Sequence, residues 1–96
     1  MSVQYVAEIT IDQGEKVHVR GIVKPKCEHY LPFVIRSARF ELYAPDGKVE
    51  AEGECSITDH ELDALIEPKG TGTYRLKEIY EIADEVWVDN VKIKVG

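Results

Sequence analysis

The chain has 96 residues, enough for one compact domain and too few for two independent cores. Its composition, 44% hydrophobic and 31% charged, is that of an ordinary globular protein, and no apolar run reaches the roughly 20 residues that a membrane-spanning helix needs. Twelve basic against eighteen acidic residues give a net charge of −6, which opposes nucleic-acid binding. We therefore predict one domain over residues 1–96, with no nucleic-acid or membrane partner.

The first 23 residues predict a pair of strands. Every second residue is apolar over residues 3–11, residues 12–15 have the composition of a turn, and the alternation resumes over residues 17–23. We expect a hairpin or a close strand pair. Because a signal peptide needs a cationic head and a continuous apolar run, we also expect synthesis in the cytoplasm.

The middle of the chain predicts a loop and a second hairpin. Residues 24–32 include two prolines, which remove backbone donors and favour a loop. A strand is expected over residues 33–44. Pro45, Asp46 and Gly47 then suit successive positions of a tight turn, so the following strand, from residue 49 to residue 57, should pair with it.

The last third predicts three further strands. Residues 58–68 alternate as a strand does, although the capping-box spacing of Thr58 and Glu61 leaves a short helix open. Strands are expected over residues 73–82 and 86–95. The apolar phase of the last strand shifts near residues 89–90, which predicts a bulge there.

These elements predict an all-β fold, an immunoglobulin-like β-sandwich of about seven antiparallel strands. Tyr74 opens the sixth strand, where immunoglobulin-like domains place a tyrosine whose hydroxyl bonds back to the preceding corner. The residues expected in the core include Tyr5, Ala7, Val19, Phe40, Leu42, Leu76 and Ile93.

Four residues could in principle hold zinc, namely Cys27, His29, Cys55 and His60. The Cys-x-His spacing is uncommon in zinc sites, so we predict free cysteines, no metal and no cofactor. A disulfide between the two cysteines stays open, but neither lies on the sixth strand, where immunoglobulin-type bridges attach.

No catalytic constellation is recognisable, and we predict that the chain is not an enzyme. His18 has no serine or cysteine nearby in the sequence that it could activate. The phosphate-cradling glycine motifs and the nucleophile and metalloprotease motifs are absent. Glu50, Glu52 and Glu54 alternate along one strand, which suggests a solvated face or a docking face.

Charge is distributed unevenly along the chain. Residues 1–48 hold seven basic and six acidic side chains, and residues 49–96 hold five and twelve, so the halves carry +1 and −7. Two unlike patches on one domain favour head-to-tail contact between copies, and we expect a homo-oligomer. The predicted interaction surface consists of Arg20, Lys24, Lys26, Arg36, Arg39, Glu50, Glu52 and Glu54.

Three segments carry a family resemblance: residues 38–47, with their Asp-Gly turn; residues 72–76, which open with Gly-Thr-Tyr; and residues 82–85. They resemble the small immunoglobulin-like β-sandwich proteins of tailed bacteriophages and prophages. The resemblance implies a non-catalytic structural or assembly module that contacts virion neighbours. The alternative is a protein- or carbohydrate-binding module of a larger assembly, with Trp87, Tyr30 and Tyr43 as the aromatic residues that sugar binding would use.

Overall fold

The computed structural model describes residues 4–23 and 34–96 and folds them into two β-sheets, with no helix among them. A five-stranded sheet has the order β1-β8-β7-β3-β4, and a three-stranded sheet has the order β2-β6-β5. None of the described residues forms a helix able to cross a membrane. The strands are β1 (Ala7–Ile11), β2 (Val17–Ile22), β3 (Ile35–Tyr43), β4 (Val49–Glu54), β5 (Ser56–Thr58), β6 (Glu61–Ile66), β7 (Gly72–Ile82) and β8 (Glu85–Val95).

The core lies between the two sheets and follows from alternation along the strands. In β7 every second residue from Tyr74 to Ile82 is buried, and β8 buries the residues opposite them. Side chains alternate across a strand, so one face of each sheet supplies the core and the other meets solvent. Of the predicted core residues, five are buried: Val19, Phe40, Leu42, Leu76 and Ile93.

The predicted first hairpin is wrong, because β1 and β2 lie in different sheets. β1 pairs in parallel with β8, and β2 pairs antiparallel with β6. Pairing with β8 starts at Ala7, at the sheet's edge, which leaves Tyr5 38% exposed and Ala7 exposed rather than in the core. The sandwich therefore has eight described strands and one parallel pair, where about seven antiparallel strands were expected.

The predicted bulge in the last strand is also wrong. β7 and β8 pair in one continuous register from Gly72 opposite Val95 to Ile82 opposite Glu85. Val88 therefore faces outward, and the polar Asp89 faces inward, where it accepts a hydrogen bond of 2.7 Å from Tyr80 Oη. The sequence pattern was misleading because Val86 and Val88 are apolar residues on the solvent-facing side of the strand, which imitates a change of phase.

Two predictions on the remaining strands are confirmed. The 45–47 turn joins β3 to β4, with Gly47 at a φ of +86° that favours glycine and the Ala44 amide donating to the Lys48 carbonyl. Residues 61–66 form a strand rather than a helix. Alternation thus outweighed the capping-box signal.

The expected tyrosine bond at the start of β7 is confirmed. The amide of Gly70, which lies four residues before Tyr74, donates to Tyr74 Oη at 3.0 Å. Tyr74 Oη in turn donates to Glu50 Oε1 at 2.8 Å. Glu50 also accepts the Lys69 amide at 3.0 Å. One buried phenol therefore ties the corner before β7 to strand β4.

Candidate docking site on strand β8

The solvent-facing side of the five-stranded sheet, here the outer face, is an ordered grid of side chains. Direct cross-strand pairing aligns Glu54, Arg39, Ile79 and Val88 in one row across β4, β3, β7 and β8. Directly opposed residues on one face approach to within about 5 Å, so such rows are continuous contacts. The row beyond it holds Glu81 opposite Val86.

An apolar patch occupies the end of the outer face where β8 begins. Val86 is 61% exposed and Val88 38% exposed, and Ile79, which lies opposite Val88, is half-buried. A groove of about 300 Å³ runs beside them, lined among others by Arg39 and Glu81. The site thus combines exposed β-branched side chains with a charged rim, as protein contact surfaces do.

Elsewhere on the outer face, charged side chains are paired with neighbouring polar or aromatic side chains. Glu41 accepts bonds from Tyr43 Oη at 2.9 Å and Arg39 Nη1 at 3.3 Å, and these contacts hold the pKa of its carboxyl below the ordinary value. Arg75 covers the Tyr43 ring, with Cζ 4.2 Å from the centroid, and donates to Asn90 Oδ1.

Three carboxylates of the outer face, two of which line the groove beside the apolar patch, differ from this pattern. Glu52, Glu54 and Glu81 make no hydrogen bond or ion pair with any described residue. Arg39, directly opposite Glu54, bonds to Glu41 instead. Within the described residues, Glu54 and Glu81 therefore leave negative charge at the rim of the patch.

In the part of the chain that the structure describes, strand β8 also has a stretch of backbone edge at this place that no strand covers. Its partner β1 covers only Val91 to Val95, and the Asn90 carbonyl accepts the Val6 amide at 2.9 Å. Amide and carbonyl groups alternate sides along a strand, so those of Val86 and Val88 point the same way as the Asn90 carbonyl, away from β7. Among residues 4–23 and 34–96, no strand pairs with them.

The inner side of the same hairpin faces a cleft between the sheets. Glu78 on β7 lies directly opposite Asp89 on β8, and both border this cleft. Glu78 is only 5% exposed, and burial, assisted by the negative charge of Asp89, raises the pKa of its carboxyl to about 7. Sequence analysis missed the pair, although Glu78 falls in the buried phase of β7, between Leu76 and Tyr80, which was the available signal.

The predicted interaction surface is only partly assembled. Arg39, Glu52 and Glu54 lie together on the outer face. Arg20 lies on the other sheet, where its Nε donates to Asp63 Oδ2 at 3.2 Å, and Arg36 donates to the Ala83 carbonyl at 3.0 Å. Lys24 and Lys26 lie outside the described residues.

Glu50 is separated from Glu52 and Glu54 by a bulge, contrary to the expectation of one acidic face. The register of β3 and β4 shifts between Leu42 and Tyr43, and Glu50 turns to bond Tyr74. Opposite charges are therefore interleaved on one face or paired across strands. In the described part of the chain, the basic and acidic residues do not form two separate patches.

The residues weighed for zinc or acid–base chemistry do not converge. Cys27 and His29 lie outside the described residues, and within the described ones no three His, Cys, Asp or Glu side chains are grouped as metal ligands are. Cys55 is buried, which raises the pKa of its thiol to about 12. His18 is exposed as expected, with Nδ1 2.8 Å from Asp63 Oδ1.

The comparisons with known proteins bear on the fold alone. No protein-family model matches the chain, and no curated protein matches it in sequence. Among solved structures, it superposes on the crystal structure of an engineered protein with a TM-score of 0.70 at 15% sequence identity. The superposition covers 92% of this chain and 18% of that chain, so the likeness shows a shared all-β fold and nothing of activity.

Proposed function

We propose that the chain is a non-catalytic protein-binding module that accepts an extended segment of its partner as an added strand beside β8. One observation carries the proposal: Val86 and Val88 combine exposed apolar side chains with backbone groups that no described strand pairs. A free edge next to apolar side chains is the arrangement to which extended peptides add, with backbone bonds supplying affinity and side chains supplying specificity.

The charges around the edge favour a basic partner segment. Glu54 and Glu81 line the groove beside the apolar patch and are neutralised by no described residue, and Glu85 and Asp89 lie on β8 on either side of Trp87. A second copy pairing antiparallel about Trp87 would place Glu85 against Asp89 of that copy, and like charges directly opposite are unfavourable. A segment alternating lysine or arginine with β-branched residues complements the site better.

The strand order supports an immunoglobulin-like assignment as part of this proposal. Such domains place their second, fourth and fifth strands in one sheet and the third, sixth and seventh in the other. With β4 counted as the extra strand after the third, β2, β5 and β6 match the first set, and β3, β7 and β8 match the second. Tyr74, at the start of β7, stands where the conserved corner tyrosine stands.

A role in a phage virion remains a proposal that rests on the sequence resemblance. The carbohydrate-binding alternative gains no support from the aromatic residues. Trp87 is only 5% exposed, Tyr43 is covered by Arg75, and Tyr30 lies outside the described residues. We therefore favour protein contacts.

Amide hydrogen exchange tests strand addition. A hexapeptide alternating valine and lysine is the probe, and its valine–glutamate counterpart is the matched control. We expect the lysine peptide to slow exchange of the Val86 and Val88 amides, because these donors gain carbonyl partners. The glutamate peptide should leave them exchanging freely.

Two variants localise the effect. Val88→Lys places like charge at the open edge and should weaken peptide protection, whereas Thr73→Lys adds the same charge on β7 far along the sheet and should not. Equal protection by both peptides, or no protection at all, would contradict the proposal. Protection that grows with protein concentration alone would identify a second copy as the occupant and contradict the basic partner.

A further inference from the structure

The cleft between the sheets is a small, largely apolar space with two acids in its wall. It measures about 90 Å³ and lies between β1 and β8 on one side and β2 on the other. Aliphatic side chains form most of its lining, among them Ile9, Val19 and Val91. Glu78 and Asp89 enter it from adjacent strands in direct register.

The carboxylate of Glu78 lacks the partners that buried acids normally have. Its side chain is 95% removed from solvent, since 5% is exposed, yet no described residue donates a hydrogen bond to it. Asp89 is partly satisfied by Tyr80 Oη at 2.7 Å. Among the described residues, every fully buried side-chain oxygen has a hydrogen-bond partner, so the Glu78 oxygens, which have none, keep access to the space of the cleft, where a donor can reach them.

The cation nearest in the lining is already engaged. Arg20 borders the cleft, but its Nε is directed to Asp63 Oδ2, which lies across the β2–β6 pair. The described lining thus offers two carboxyl groups, of which Asp89 already accepts the Tyr80 hydroxyl, and no side chain in it donates a hydrogen bond to Glu78.

We propose that this cleft binds an alkylammonium group, with the ammonium between Glu78 and Asp89 and the alkyl stem against the valine and isoleucine side chains. An ammonium carries three donors and one positive charge, which satisfies both acids at once. This inference does not depend on strand addition at β8, because the cleft lies on the inner side of the sheet.

The size of the cleft and the small number of oxygen ligands in it favour a short alkylammonium ion. A cavity of about 150 Å³ holds benzene, so the smaller cleft suits a short alkyl chain rather than a drug-sized molecule. Calcium takes six to eight oxygen ligands, and the described residues hold no ligand cluster of that kind.

Binding should strengthen with pH through the ionisation of Glu78, whose pKa lies at about 7 in the free protein. The titratable groups that interact with it are Asp89 on β8, Tyr80 on β7 and Cys55 after β4, whereas Arg20 on β2 borders the cleft but bonds to Asp63. Burial keeps Tyr80 and Cys55 neutral across this range, because it raises the pKa of both. Glu78 therefore supplies the pH dependence.

Titration with n-butylammonium, followed by carboxyl ¹³C NMR at matched ionic strength, tests the proposal. We expect the Glu78 and Asp89 carboxyl resonances to shift saturably, the Glu78 pKa to fall, and affinity to rise from pH 6 to pH 8, the range around about 7. Tetramethylammonium, which has no donor, should bind about tenfold or more weakly, since it lacks charge-assisted hydrogen bonds.

Two variants distinguish a loss of butylammonium binding from a loss of folding. Glu78→Gln should weaken butylammonium binding about tenfold or more, whereas Glu81→Gln, on the outer face of the same strand, should leave it unchanged. Retained amide dispersion in Glu78→Gln would show that the variant is folded. Equal binding to Glu78→Gln, or equal shifts with tetramethylammonium, would overturn the proposal.

The same chemistry could come from a lysine of the chain itself, and one arm of the experiment addresses this source. Lys24 and Lys26 lie outside the described residues, so they are replaced together by alanine. An unchanged Glu78 pKa in this variant supports an external ligand. A Glu78 pKa that rises when these lysines are removed would overturn the proposal of an external ligand.

Discussion

At the scale of single residues, Glu78 makes folding stability depend on pH in an unusual direction. The pKa of its carboxyl is 4.5 in its ordinary state and about 7 in the folded protein, chiefly because burial disfavours the charge. Between these values the folded chain keeps a proton that the unfolded chain has lost. The free energy of unfolding should therefore fall by roughly 3 kcal/mol as the pH rises from about 4.5 to above 7.

Glu78→Gln should remove this dependence, because glutamine does not ionise. We expect the variant to be more stable than the parent at pH 8 and nearly unchanged in stability between pH 5 and pH 8. Urea denaturation at these pH values measures the effect, with Glu81→Gln as control. The lowered pKa values of Glu41 and Asp63 act in the opposite sense, with stability lost only as the pH falls through acid values. A parent protein that gains stability from pH 5 to pH 8 would contradict this account of Glu78.

At the scale of elements, alternation predicted most strands but could not assign their partners. In the 45–47 turn, Pro45 restricts the backbone φ angle and Gly47 adopts a positive φ, so the turn and the β3–β4 pair that it joins were predictable from sequence. The turn after β1 looked similar, yet there the chain crosses between sheets, because β1 finds its partner about eighty residues away on β8. The inward Asp89 was unpredictable for the same reason, since its partner Tyr80 is fixed only by the β7–β8 register.

The corner before β7 gives a prediction for one hydroxyl. Tyr74→Phe deletes the acceptor of the partly buried Gly70 amide and the donor to the Glu50 carboxylate, so two hydrogen bonds are lost at once. We expect a loss of about 1–3 kcal/mol in the free energy of unfolding. Tyr43→Phe, which removes one bond to Glu41 at the surface, should cost less than about 1 kcal/mol. Equal losses in chemical denaturation would show that the corner bond has no special weight.

At the scale of the whole molecule, the net charge of −6 is distributed differently from the two-patch expectation. The sequence correctly gives the charge imbalance between residues 1–48 and 49–96, but the pairing register of the strands decides which charged side chains lie next to each other. Arg20 reaches Asp63 and Arg39 reaches Glu41, so two basic residues expected to contact another copy contact this one. Glu54 and Glu81, which no described residue neutralises, lie beside the apolar patch of β8.

The sign of the salt dependence distinguishes the two views of self-association. Head-to-tail contact between unlike patches should be strongest at low salt and weaken as ions screen it. Pairing of two copies at the β8 edge opposes Glu85 to Asp89, so it should be suppressed at low salt and strengthen as this repulsion is screened. We expect a monomer at low salt, with any association increasing between about 10 mM and about 1 M salt, over which the Debye length falls from about 30 Å to about 3 Å. Sedimentation velocity over a concentration series measures this association. Glu85→Gln removes the repulsion and should permit association at lower salt. The control Glu67→Gln, on the segment after β6, should not change the salt dependence. Oligomers that form at low salt and dissociate on adding salt would restore the charge-mated head-to-tail assembly.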